Sequence, residues 1–175
     1  MGRTLTDNCC TICGIPLDAE YFDVSGFVGN GMAVDQFQGF DPQLPGPLPR
    51  RGEQVMLAGF QLHPQYCGVL TYFSQYTDLY AKDNWQILTP GFDWSIVQNG
   101  KPVFPYTRLE LIVNPWGYNC LPVAVRLDEN ARIEFILRNR AISDAKLESY
   151  PIRAFAGRLM GRYWYNDSFG GRVRL

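Results

Sequence analysis

The side chains able to do chemistry are few and scattered. Cys9, Cys10, Cys13, Cys67 and Cys120 make an odd set of five. Cys10-Thr11-Ile12-Cys13-Gly14 has the spacing of one zinc knuckle, because two thiolates so placed can meet one metal ion. A structural zinc needs two further ligands. Those available, His63 with Cys67 or else Cys120, lie far outside compact ribbon spacing. No metal is expected, and the thiols read as small apolar core residues. His63 is the single histidine. Any Ser–His or Cys–His nucleophile would have to use it, yet it stands between Leu62 and Pro64 at a turn, and no Gly-x-Ser-x-Gly accompanies it. Asp35, Asp41, Asp78, Asp83 and Asp93 could supply the carboxylate pair of a glycosidase, but their spacing brings no two to one cleft. Aspartates at turns are ordinary. Neither Gly-x-x-x-x-Gly-Lys nor Gly-x-Gly-x-x-Gly is present, so no phosphate cradle is expected. The sequence therefore reads as non-enzymatic, with no catalytic residue, no cofactor and no small-molecule substrate.

Residues suited to contact are better represented. The segment 152–165 mixes cations and rings. On a strand, Arg158, Met160, Arg162 and Trp164 would share one face, with Leu159, Gly161, Tyr163 and Tyr165 on the other. Arg, Trp and Tyr are the usual anchors of protein interfaces, which makes Arg158, Arg162, Trp164 and Tyr165 candidate partner-binding residues. Rings among cations can also hold single-stranded nucleic acid. With a net charge of −1, nucleic acid is not the expected partner. The run from Phe40 to Gly52 holds Pro42, Pro45, Pro47 and Pro49, followed by Arg50 and Arg51. Such a run favours extended backbone without a hydrogen-bonded partner. It reads as an arm, with Pro45, Pro47, Pro49, Arg50 and Arg51 as candidates to clasp a neighbour. Trp116 and Tyr118 sit in the loop Asn114–Asn119, where they could stack on a partner or on a sugar ring.

The elements that position these residues are strands. With 175 residues the chain is sized for one domain. Aromatic residues reach 14%, which excludes a disordered chain, and Gly and Pro throughout exclude a coiled coil. Period-two alternation dominates. It appears over 54–62, 68–76, 107–113, 123–127, 133–138 and 152–165. Trp94–Gln98, then Asn99-Gly100, then Lys101–Phe104 is the strongest hairpin signal, because Asn-Gly supplies the two positive-φ residues of a type I′ turn. Pro102 and Pro105 make its return strand an edge. A turn at Asp128-Glu129-Asn130 predicts a second hairpin joining 123–127 to 133–138. Residues 141–149 predict one short helix or an irregular crossover. The expected fold is all-β, a single antiparallel β-sandwich or jelly-roll-like domain spanning 1–175. The segment 1–19 and the Pro-rich arm 40–52 are expected outside its core.

Charge is divided along the chain. Residues 1–100 carry four Lys and Arg against ten Asp and Glu, a balance of −6, and residues 101–175 carry twelve against seven, a balance of +5. Either the halves attract a charged partner or a second copy, or they interleave in one domain. The uncharged stretch Gln54–Thr77 holds four Gln and a Pro and is not a membrane span. No secretory leader is expected, because the opening residues hold no apolar stretch of sufficient length. The Pro-rich arm, the hairpin at Asn99-Gly100 and the β run Leu121–Asn139 together resemble the small β-sandwich accessory proteins of tailed-phage virions, of the head decoration, head–tail connector and tail-attachment kinds. That resemblance implies a non-enzymatic structural protein assembled in the host cytoplasm into a virion, working as a homo-oligomer and against other virion proteins, without a membrane. The alternative class is a carbohydrate- or receptor-binding β-sandwich module.

Overall fold

The computed structural model describes residues 15–29, 48–79, 91–109, 119–149 and 152–166. Within them lie β1 (Glu20–Gly29), β2 (Gln54–Gln61), β3 (Tyr66–Leu79), β4 (Phe92–Gln98), β5 (Lys101–Pro102), β6 (Asn119–Leu127), β7 (Arg132–Asn139), a short helix α1 (Asp144–Ser149) and β8 (Ile152–Tyr165). They form two four-stranded antiparallel sheets, ordered β1-β8-β3-β6 and β2-β7-β4-β5. The pairs β1–β8, β2–β7, β3–β6 and β4–β5 are nested one inside the next. The chain is thus one long antiparallel hairpin rolled up sideways, which is the jelly roll.

The tip of that hairpin is the turn at Asn99-Gly100, with φ of 51° and 76°. Asn99 also fastens the tip to β7. Its amide donates to the Arg132 carbonyl and its Oδ1 accepts from the Arg132 amide, both at 2.8 Å. The return strand β5 has only two residues and lies at the sheet edge, as Pro102 requires.

The expected second hairpin does not form. β6 pairs with β3 in the first sheet, whereas β7 pairs with β2 and β4 in the second. The Asp128–Asn130 turn is real, with Asn130 at φ 59° and the Ala131 amide on the Asp128 carbonyl at 3.0 Å. It carries the chain across the core to the opposite sheet. The turn at His63-Pro64-Gln65 does the same between β2 and β3. Alternation identified the strands but not their partners, because a period of two is common to every pairing. β1 was not foreseen as a strand, although Phe22, Val24 and Val28 recur at even spacing in it.

Between the sheets, Phe155 of β8 meets Trp94 at 5.8 Å edge-on and Phe92 at 4.6 Å, while Phe135 of β7 meets Trp94 at 5.4 Å and Phe73 of β3 at 5.5 Å. A second aromatic group, Phe22 stacked on Phe60 at 4.2 Å with Tyr163, Tyr66 and Tyr165 in succession, fills one end. Two glycines set how closely the sheets approach. Gly26 and Gly157 are direct cross-strand partners on β1 and β8. Leu57, at the bulge of β2, turns its carbonyl onto Gly26, where any Cβ would collide with it. A Cβ on Gly157 would lie 2.6 Å from Phe135 Cδ1.

Gly157→Ala should destabilise the fold by about 1–3 kcal/mol in denaturant unfolding, through overpacking. Gly26→Ala should cost more, because a carbonyl oxygen inside a ladder yields less than a ring. The reverse ranking would mean that β2 shifts more readily than Phe135 turns.

Candidate functional site

Strand alternation sends half of each strand outward, and register then arranges those side chains in rows. Across the outer face of the first sheet, one row runs Asp23, Met160, Tyr72, Pro122, and the next runs Tyr21, Arg162, Val69, Arg126. Arg158 lies in the row on one side of these, and Trp164 opposite Cys67 in the row on the other. Tyr21 is 75% exposed and Tyr72 45%. The predicted shared face of Arg158, Arg162 and Trp164 therefore exists and points outward.

Its charges are largely used within the chain. Arg158 grips Asp23 of β1 through both carboxylate oxygens, with Nε to Oδ1 at 2.6 Å and Nη2 on Oδ2. Arg162 lies over the Tyr21 ring at 4.2 Å, donates to the Tyr21 hydroxyl at 3.1 Å and donates to the Ala19 carbonyl at 2.8 Å. Its Nε is buried against the sheet without a hydrogen-bond partner. Tyr163 donates to Glu20 Oε2 at 2.5 Å. That bond, with partial burial and the Glu20 charge, holds the Tyr163 phenol above its ordinary pKa. These links staple the edge strand β1 to β8. Beyond them the face presents Tyr72, Met160, Val69 and Trp164, with the exposed Arg126–Asp128 ion pair at its far edge.

Trp164 occupies a separate place on the same face. It lines a groove of about 680 Å³ floored by Cys67, Val69 and Ala124 and rimmed by Arg126, Asp128 and Asn166. Tyr165 points the other way, edge-on to Tyr66 at 5.7 Å and within 3.3 Å of Gln65 Oε1. The four C-terminal candidates thus divide into two strand staples, one groove wall and one member of the inner aromatic group.

The end of the Pro-rich arm is fastened to its own domain. Leu48 packs on the core and Pro49 is buried. Asn139, fully buried at the end of β7, donates through Nδ2 to the Pro49 carbonyl at 3.0 Å and the Ile142 carbonyl at 2.9 Å, and its Oδ1 accepts from the Ile142 amide at 2.9 Å. Its backbone pairs with Gly52 and Glu53. Asn139 was not foreseen as a clasp, because nothing in its local sequence separates it from other strand-end asparagines. Arg50 and Arg51 are exposed beside this anchor. Pro45, Pro47, Trp116 and Tyr118 lie outside the described residues.

Among the described residues the candidate reactive groups stand apart. His63 is exposed at its turn, where its carbonyl accepts from the Tyr66 amide. Asp93 is engaged with Arg108 at 3.2 Å and Arg140 at 3.6 Å. Among the described residues no group of three or more His, Cys, Asp and Glu is placed to hold a metal ion. Cys9, Cys10 and Cys13 lie outside them. No helix among the described residues is long and apolar enough to cross a membrane. Comparison with protein-family models, with characterised proteins and with solved structures finds no match.

Because Arg158 is already paired, Arg158→Ala and Asp23→Ala should each lower the melting temperature of the isolated subunit. A double-mutant cycle should give a coupling of up to about 1 kcal/mol, as for a half-exposed ion pair. Zero coupling, with association weakened instead, would return Arg158 to the role of a partner anchor.

Proposed function

We propose that the chain is a non-enzymatic structural protein of a virus-like or phage particle, acting through homo- or hetero-oligomeric contacts. One observation supports this reading: on the outer face of β1-β8-β3-β6 Arg158 and Arg162 are engaged within the chain, leaving Tyr21, Val69, Tyr72, Met160 and Trp164 to meet a partner. Exposed rings and aliphatic side chains grouped on one face favour an interaction site, since covering them removes unfavourable contact with water. Its arginines, fixed beforehand by β1, lose little freedom on docking. The jelly roll adds general support, being a scaffold on which coat proteins and lectins are built. Fold alone does not name a function, so the face decides.

The groove beside Trp164 favours a second reading, a carbohydrate-binding module. An indole wall can stack on the C–H face of a pyranose while Asp128 and Asn166 bond its hydroxyls.

Tyr72→Glu combined with Met160→Glu should raise the free-subunit fraction in size-exclusion chromatography with light scattering, with little change in the melting of the free subunit. Both side chains point away from the core, so their charge is tolerated until a partner covers it. A wild-type chain that is monomeric at every concentration, and takes up no partner that the double variant refuses, sinks the assembly reading. Binding on a glycan array that Trp164→Ala abolishes would put the sugar reading in its place.

A further inference from the structure

The outer face of the second sheet differs chemically from the first. Register again sets its rows: Gln54, Arg138, Asp93; then Met56, Ile136, Ser95; then Gly59, Glu134, Val97. All of these but Met56 and Gly59 line a groove of about 540 Å³ that runs on to Pro102 and Arg108. At one end three guanidinium groups surround one carboxylate. Asp93, with its side chain 19% exposed, holds Arg108 and Arg140. Arg138 stands directly across the ladder from Asp93 and makes no ion pair among the described residues. At the other end Glu134 is matched by Arg132 at 2.7 Å. Among the described residues, then, three guanidinium groups meet a single carboxylate at the Asp93 end. Toward the other end Ile136, Val97 and Pro102 form an apolar strip beside Glu134, with Met56 next to them 47% exposed.

We infer that this groove is a second binding site, for an extended acidic peptide segment of another protein chain, with a carboxylate at Arg138 and an apolar side chain over Ile136. Arginine binds carboxylate through two parallel hydrogen bonds, and no carboxylate among the described residues occupies Arg138. The strip of Ile136 and Val97 decides against a free phosphate, which would leave it uncovered. It also decides against single-stranded nucleic acid, because none of the described lining residues offers a ring for a base to stack on. The distance from the Arg138 row to the Glu134 row is four strand residues, about 13 Å at ~3.3 Å per residue, enough for several side chains of an extended peptide. The site is independent of the assembly face, which lies on the opposite side of the sandwich.

The test uses the full chain and a fluorescein-labelled peptide of alternating aspartate and leucine, read by fluorescence anisotropy. The Asp–Leu peptide should bind, its Lys–Leu counterpart should not, and affinity should fall as salt rises from about 50 to about 500 mM, because screening weakens exposed charge contacts. Arg138→Glu should weaken binding about tenfold or more, as reversal of a contact charge does. That residue is exposed and unpaired, so circular dichroism should show the fold intact. Ile136→Ser should weaken binding several-fold at unchanged charge. Tyr72→Glu with Met160→Glu should leave peptide binding unaltered, which keeps this site's failure distinct from failure of the assembly reading. The proposal is overturned if the peptide does not bind, if Arg138→Glu has no effect, or if Ile136→Ser has none while inorganic phosphate displaces the peptide. It is equally overturned if labelled oligothymidylate binds more tightly with the same dependence on Arg138.

Discussion

The contact on which the roll depends is the seat of Leu57 on the glycine pair Gly26 and Gly157. Four nested strand pairs make a long ribbon, and a ribbon becomes a sandwich only if its halves can touch. Side chains normally hold packed sheets ~10 Å apart. At this point β1 and β8 offer no side chain, and the bulged β2 carbonyl reaches the backbone itself. Phe135 then settles against Gly157, Trp94 and Phe155 close over it, and Phe22 stacks on Phe60 beside it. Once these inner positions are occupied, strand alternation leaves no choice about the outer ones. The aromatic face of one sheet and the arginine groove of the other are consequences of that closure.

Period-two alternation, Asn99-Gly100 and the edge prolines made the strands and the tip of the roll legible in the sequence. These are local signals, and local chemistry decides them. Pairing is not local. Val123–Leu127 and Ile133–Leu137 look like hairpin arms because each alternates and a turn joins them, yet the same pattern serves a crossing between sheets. β1 was obscured by its own glycines. Gly26 interrupts the apolar series at the very position where the structure needs an absent side chain.

The candidate site shows the same division. The sequence placed Arg158, Arg162 and Trp164 on one face, since that follows from strand geometry alone. It could not show that Asp23, Tyr21 and the Ala19 carbonyl, more than a hundred residues earlier, already occupy the two arginines. Composition marks a residue as able to bind. Only topology says whether a partner within the chain has taken it. Arg138, unremarked in the sequence, is more available than Arg158 for that reason.

Topology also accounts for the division of charge along the chain. The roll turns back at Asn99-Gly100, and this is where the acidic stretch gives way to the basic one. Nested pairing therefore lays every strand of the acidic part beside a strand of the basic part: β1 on β8, β2 on β7, β3 on β6, β4 on β5. Asp23 with Arg158, and Asp93 with Arg108 and Arg140, are ion pairs across that boundary. Each such surface pair is worth only ~1 kcal/mol or less, so stability rests on the apolar core. Their collective effect falls on choice of partner. Two acidic strands laid side by side would repel, and so would two basic ones, whereas acidic on basic attracts in the nested arrangement. Apolar burial makes the chain collapse into sheets, and charge favours the pairing only where strands carry it, as β1 and β8 do, whereas β2 carries none.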